Sequence, residues 1–253
     1  MLIMSKKLIF LYHNIIERER NLYLYDVSFK AFKKQIEYLK QLSGKRVSVG
    51  KLLDKSNSFL DVIISFDDGY RSWTGEVLEL LLSANFKAYF FICIEHLENS
   101  LIKKEDILRL KNSGMVIGAH SMTHRFLTLL KREEIYYELK QSKEVLENIL
   151  GDKVNCFSIP RGIYNNDVVR IAQEVGYEYL FTSDVGINEK IGFKLKRIPV
   201  KRNTSLENFI NIINGKNIRK MIFQENIKNI SKKIFGIKIY DYWRRILIPE
   251  AED

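Results

Sequence analysis

The sequence predicts an α/β protein: a parallel sheet of about seven strands with helical crossovers, as a barrel or an open sheet. Three observations carry that expectation. Short runs rich in Val, Ile, Phe and Tyr alternate with longer stretches whose apolar residues recur every three or four positions, the rhythm of strand and crossover helix. Glycine stands just past helix after helix, at Gly44, Gly114, Gly151 and Gly176, where a left-handed residue ends the helix without a Cβ penalty. Finally, 253 residues with 46% hydrophobic content can bury one large core, and α/β barrels occur as single domains at such lengths.

In order, residues 8–12 read as the first strand, followed by His13 and a charged loop to Asp26. Ser28 caps a helix over residues 29–42 with Phe29, Phe32, Ile36 and Leu39 on one face, its hydroxyl placed to accept from an unpaired amide of the first turn. Residues 62–66 form a strand, 73–82 a helix, 86–92 an aromatic strand, 104–112 a helix and 115–119 a strand. The longest helix spans about 131–150, with Ile135, Leu139, Val145 or Leu146 and Ile149 inward, on the 3.6-residue period. A strand at 156–159, a helix at 167–175 and strands at 179–182 and 195–200 complete the set. The expected organisation is a barrel domain over 1–204 and a basic amphipathic helical extension over 205–253 packed on it.

The charge balance, 41 Lys and Arg against 31 Asp and Glu, suits an anionic partner. No arginine-rich arm or zinc-finger spacing accompanies it, so no nucleic acid is expected as partner. Cys93 and Cys156, the two cysteines, are far apart in apolar runs, which reads as buried thiols in a reducing compartment. Residues 1–12 are short for a leader and lack a small-residue cleavage site, and no apolar run reaches the roughly 18 residues of a membrane span. The expectation is a soluble, cytoplasmic protein. An alternative has the basic face of the extension, with Tyr240, Tyr242, Trp243, Arg244 and Arg245 beyond it, in peripheral contact with the inner membrane face.

The chemistry gathers at two strand ends. The run Val62-Ile63-Ile64-Ser65-Phe66 stops in Asp67-Asp68-Gly69, and the run to Ala119 stops in His120, with His124 four residues on. In parallel α/β folds these C-terminal ends form the functional face, so Asp68, His120 and His124 converge. One carboxylate and two imidazoles that leave a coordination position open are the donor set of a divalent metal site, zinc first, with cobalt or nickel as alternatives. The four-residue spacing puts both imidazoles on one face if the chain turns helically after the strand. Asp67 and Asp68 would point apart in a regular strand, but the pleat need not continue into Gly69.

These stretches resemble the polysaccharide deacetylases, the NodB-homology group or carbohydrate esterase family four. The family's Thr/Ser-Phe-Asp-Asp-Gly motif matches Ser65 to Gly69, and its His-Ser/Thr-x-x-His motif matches His120 to His124. The resemblance covers roughly residues 7–202 and implies a distorted (β/α) barrel with fewer than eight strands. It makes Asp68 a metal ligand and Asp67 the general base. In the family's third motif Pro160 and Gly162 keep their places, Arg161 stands at the tyrosine and Ser158 at the base-orienting arginine. Arg161 could orient the base from its shifted position, grip an anionic part of the substrate, or be a solvated loop residue. Its backbone amide corresponds to an oxyanion donor. Pro160, Gly162, Tyr164 and Asp184, the last at the fourth motif, are implied substrate-binding positions. The fifth motif, which carries the family's acid histidine, reads Leu195-Lys196-Arg197 here, and no histidine follows His124. His13 is therefore the candidate general acid, with a structural histidine as the alternative, and His96 reads as solvated. The Tyr12-His13 pair also resembles a branch of the family acting in exopolysaccharide and surface-glycan assembly.

The expected function is a metal-dependent hydrolase that removes N-acetyl groups from an N-acetylated sugar, on a nucleotide- or lipid-linked precursor of capsule or lipopolysaccharide. Peptidoglycan or chitin-oligomer deacetylation is the alternative among enzymes. A glycan-binding protein with impaired catalysis is the alternative outside them, suggested by the altered third and fifth motifs.

Overall fold

A computed structural model describes residues 6–17, 23–45, 47–54, 58–99, 101–224 and 227. The elements run β1 (Lys6–Tyr12), β2 (Ile15–Ile16), β3 (Val27–Ser28), α1 (Phe29–Leu42), β4 (Val47–Val49), β5 (Leu60–Phe66), α2 (Glu76–Ser83), β6 (Ala88–Ile92), α3 (Ile94–Glu98), α4 (Lys104–Asn112), β7 (Val116–Ala119), α5 (Arg132–Leu150), β8 (Cys156–Ser158), α6 (Asn166–Glu174), β9 (Tyr179–Val185), β10 (Lys194–Pro199) and α7 (Leu206–Ile213). The sheet order is β1-β10-β9-β8-β7-β6-β5-β4, and β1 also pairs with β5 along its whole length. That second pairing closes seven parallel strands into a barrel. β5 carries β4 against Leu60 to Val62 and β6 against Ile64 to Phe66; since β1 occupies its other edge, β4 fills the lower half of the edge that β6 takes above. The expected α/β barrel of about seven strands is what forms, with this shared edge among its distortions.

Strand alternation decides what the bore contains. Ile9, Ile63, Tyr89, Phe91, Phe181 and Leu195 pack with Leu52 and Cys156 inside. Their neighbours of opposite parity, Leu8, Phe10, Val62, Ile64, Phe66, Phe90 and Ile92, face the helices, as the two-residue strand period requires. Toward the N-terminal end Lys7 and Asp61 form a buried ion pair, and Tyr89 Oη accepts the Leu52 amide. Both cysteines are buried free thiols.

The helices follow their signals. Ser28 caps α1, its Oγ accepting from the Ala31 amide at 3.3 Å, and Phe32, Ile36 and Leu39 are its buried apolar face. α5 buries Ile135, Leu139 and Leu146 and stops at Gly151 with φ 62°. The helix expected over 73–82 divides into a 3₁₀ turn, Arg71–Thr74, and α2, because Gly75 at φ −96°, ψ −125° breaks the helical path. The 3₁₀ turn seats Trp73 in the core among Phe66, Tyr70 and Phe90. α7 packs Phe209 on Phe10 of β1, ring centroids 4.4 Å apart. Residues 228–253, with the aromatic and arginine positions of the expected extension, lie outside the described residues. No helix among the described residues is long and apolar enough to cross a membrane.

Candidate metal centre

Two loops at the C-terminal end of the barrel build the site. Asp67 continues the inward parity of Asp61, Ile63 and Ser65, so its side chain points over the bore. Asp68 would face outward, but it adopts φ 90° and Gly69 φ 108°, and this left-handed turn swings its carboxylate back toward β7. The second loop departs from expectation. It is not helical: Ser121 and His124 take φ 70° and 53°, and Ser121 Oγ accepts the His124 amide at 3.1 Å. A closed loop with two left-handed residues, rather than a helical turn, brings the imidazoles to one side. The loop is anchored from below by Glu138, a wholly buried carboxylate on the inner face of α5, which accepts the amides of Met122 and Thr123 at 2.9 and 3.0 Å, the Thr123 hydroxyl and Arg125.

Asp68 Oδ1 stands 3.2 Å from both His120 Nε2 and His124 Nε2, and the three donor atoms lie within 4.8 Å of one another. His120 Nδ1 is 2.9 Å from the Ser158 carbonyl. A carbonyl only accepts, so Nδ1 carries a proton, and Nε2 is the ring atom that faces the centre. Burial, outweighing Asp68, lowers the His124 pKa and keeps that ring neutral. Burial would raise the Asp68 pKa, but His13, His120 and His124 overcome it and hold the carboxyl well below its usual range. A carboxylate held ionised and two imidazoles, all mostly shielded from water, fit a divalent metal ion.

Asp67 has a different environment, and here the sequence expectation is corrected. Arg161 does not orient it; its Nε reaches the His124 carbonyl at 3.3 Å and its guanidinium lies over the Phe126 ring. The partner is Arg197, at the position of the fifth-motif histidine. It is fully buried between the rings of Phe91 and Phe181 and makes a two-pronged contact with Asp67, 2.8 Å on each prong. Ser158 Oγ, on the third-motif position, donates to Asp67 Oδ2 and accepts from Arg197 Nη2, both at 2.8 Å, while Arg197 Nε is held by the Thr182 carbonyl. Burial alone would raise the Asp67 pKa; Arg197, with His120 and His13, more than compensates and lowers it. Arg197 has the inward parity of Leu195, and the β9–β10 register jumps between these two residues.

His13 sits at the end of β1, its carbonyl bonded by the Trp73 indole at 2.9 Å and its ring 4.7 Å from that of Tyr25. Its Nδ1 is buried with no hydrogen-bond partner among the described residues. His96, expected in solvent, is buried instead, its Nδ1 2.8 Å from the Asp68 carbonyl. Pro160 opens a 3₁₀ turn in which Arg161 and Gly162 take φ 59° and 67°. A Cβ on Gly162 would meet Ser183 Oγ at 2.4 Å, so this glycine holds its place for room as well as for φ. Tyr164 and Asp184 hydrogen-bond to each other, with Lys194 over the Tyr164 ring.

Comparison with known proteins agrees with this geometry. The family profile described as Polysaccharide deacetylase matches residues 55–180. Peptidoglycan-N-acetylmuramic acid deacetylase PdaA of Bacillus subtilis is 26% identical over 169 residues, 63% of this chain and 62% of that protein. Peptidoglycan-N-acetylglucosamine deacetylase of Bacillus cereus is 33% identical over 101 residues, 39% of this chain and 35% of its own length. The chain thus spans less than two thirds of these relatives. Among solved structures the Streptococcus pyogenes deacetylase PplD in complex with acetate superposes with a TM-score of 0.73 over 82% of this chain and 97% of that one, at 21% identity, a likeness of fold. From the two motifs, the barrel that presents them and the profile from β5 to the start of β9, the chain belongs to the polysaccharide deacetylase family.

Proposed function

We propose that the protein hydrolyses the acetamido group of an N-acetylated sugar in a polysaccharide or its precursor. The observation that carries this reading is the pairing of two differently furnished carboxylates: Asp68 among imidazoles, and Asp67 beside it gripped by Arg197. A divalent ion held by Asp68, His120 and His124, with zinc the first choice and cobalt or nickel alternatives, would supply Lewis-acid polarisation of the amide carbonyl and a lowered pKa for water. Asp67, not committed to that trio, is the proton acceptor. Arg197 and Ser158 keep it ionised and fix its oxygens, so the base stands ready at neutral pH. His13, whose Nδ1 has no bond to surrender, is the group that gives a proton to the departing amine. Arg161 and the backbone turn at Pro160 and Gly162, with Tyr164 and Asp184, frame the entrance where the sugar is bound.

The alternative of a glycan-binding protein with impaired catalysis rests on the altered motifs, and the Asp67–Arg197 pair speaks against it, because an orienting arginine is present from another strand. For the substrate, a nucleotide- or lipid-linked surface-glycan precursor is the first reading. Peptidoglycan or chitin-like oligomers are the second, favoured by the activities named for several relatives. A lipid-linked acceptor also suits the nine lysines and arginines set against two acids between residues 216 and 245, which would bring that stretch to an anionic bilayer; full-length protein staying with the soluble fraction in vesicle flotation sinks that contact. Acetate release from each substrate class, with zinc, cobalt or nickel added and with chelator, tests the rest. Asp67→Asn should retain metal and lose turnover. Hydrolysis by that variant at the wild-type rate refutes the assignment of the base.

A further inference from the structure

We infer that His96 is a positioning residue for the metal centre, acting through the main chain of Asp68. The inference rests on reading Asp68, His120 and His124 as a metal trio. Asp68 at φ 90° occupies a conformation that an L-residue holds only under outside constraint. The constraint is visible on its carbonyl, which accepts from the Cys93 amide at 3.1 Å and from His96 Nδ1 at 2.8 Å. His96 packs against the turn, for a Cβ built on Gly69 would come within 3.8 Å of His96 Cβ.

The same short segment holds the other ligand loop. The amides of Ile94 and Glu95 bond the carbonyls of Ser121 and Met122 at 3.2 and 2.8 Å, and the His96 ring is 5.6 Å from that of His124. Residues 93–96 therefore tie the carboxylate loop to the imidazole loop, and His96 supplies the one side-chain donor to the Asp68 carbonyl among the described residues. Without it the strained peptide has one amide left to hold it, and the separation of Asp68 from the two rings relaxes. Because a carbonyl accepts, the His96 proton is on Nδ1.

The test is metal affinity of the full chain, measured by competitive zinc titration and by the visible spectrum of the cobalt-loaded protein, with melting temperature of the metal-free form alongside. His96→Ala should weaken zinc binding by about 10- to 100-fold, the usual loss for an outer hydrogen bond to a ligand, and alter the cobalt bands. His96→Asn, whose side-chain amide reaches the Nδ1 position, should keep affinity within about threefold of wild type on the same scale. His96→Gln, whose amide reaches the Nε2 position instead, should behave like the alanine variant. Wild-type affinity and spectrum in His96→Ala, or equal losses in His96→Asn and His96→Gln, overturn the proposal; the second comparison stands even if the alanine variant does not fold. Failure of the wild-type protein to bind zinc or cobalt would instead sink the reading of the trio itself.

Discussion

Replacing Arg197 by methionine removes a guanidinium of which no part reaches solvent and leaves the Asp67 carboxylate buried with Ser158 as its remaining partner. Breaking one side of a buried ion pair costs about 3–5 kcal/mol, because the other charge stays desolvated. For a domain of this size that is a fall in Tm of roughly 6–20 °C. Catalysis suffers separately. Burial raises the Asp67 pKa and Arg197 is the first of the groups that bring it down, so in Arg197→Met the carboxyl must be deprotonated against burial. The acid limb of the kcat profile moves to higher pH, and turnover at neutrality falls by about 10²–10⁴, the range for a mispositioned or protonated base. The sign for stability is fixed by the same shift. A carboxyl lowered in the folded state stabilises above its unfolded pKa, and that contribution disappears as pH drops through the folded value. The Tm gap between wild type and Arg197→Met should therefore narrow in acid. Asp67→Asn/Arg197→Met should be more stable than Arg197→Met alone, since the unpaired charge is gone. An Arg197→Met protein with the wild-type Tm and an unmoved acid limb would refute the reasoning.

Two other outcomes follow from the site. His13→Gln should bind zinc like wild type yet lose roughly 10²-fold or more in kcat, with the loss greatest for substrates whose leaving amine is most basic; unchanged kcat would return His13 to a structural role. Gly162→Ala forces a Cβ onto Ser183 Oγ at a left-handed φ and should lower stability by about 1–3 kcal/mol, and pairing it with Ser183→Gly should recover part of that loss in a thermal melt.

How much of this was readable in the chain differs residue by residue. Asp68, His120 and His124 declared themselves because strand ends are recognisable from β-rich runs that stop in polar residues. The bend that makes them converge was not readable, since Asp68, Ser121 and His124 hold positive φ without being glycine, and only tertiary hydrogen bonds select such conformations. Arg197 was taken for a missing acid because a motif is a linear string. Arg197 keeps the inward parity of Leu195 two residues before it, but its partnership with Asp67 joins residues 130 apart in the chain, which no local pattern encodes. Glu138 did leave a signal: an acid spaced among Ile135, Leu139, Ser142 and Leu146 on the buried stripe of a long helix, where a charge must have partners waiting. His96, amid Glu95 and Glu98, looked like surface.

The bore of the barrel is stoppered twice, by Asp67 with Arg197 at one end and by Lys7 with Asp61 at the other, with close-fitting rings between them. Traffic is consequently one-sided. Under the proposed function, whatever enters and whatever departs would share a single doorway, and discrimination among long and short glycans would fall to the loops around it, since the staves beneath offer no corridor through which a polymer could thread.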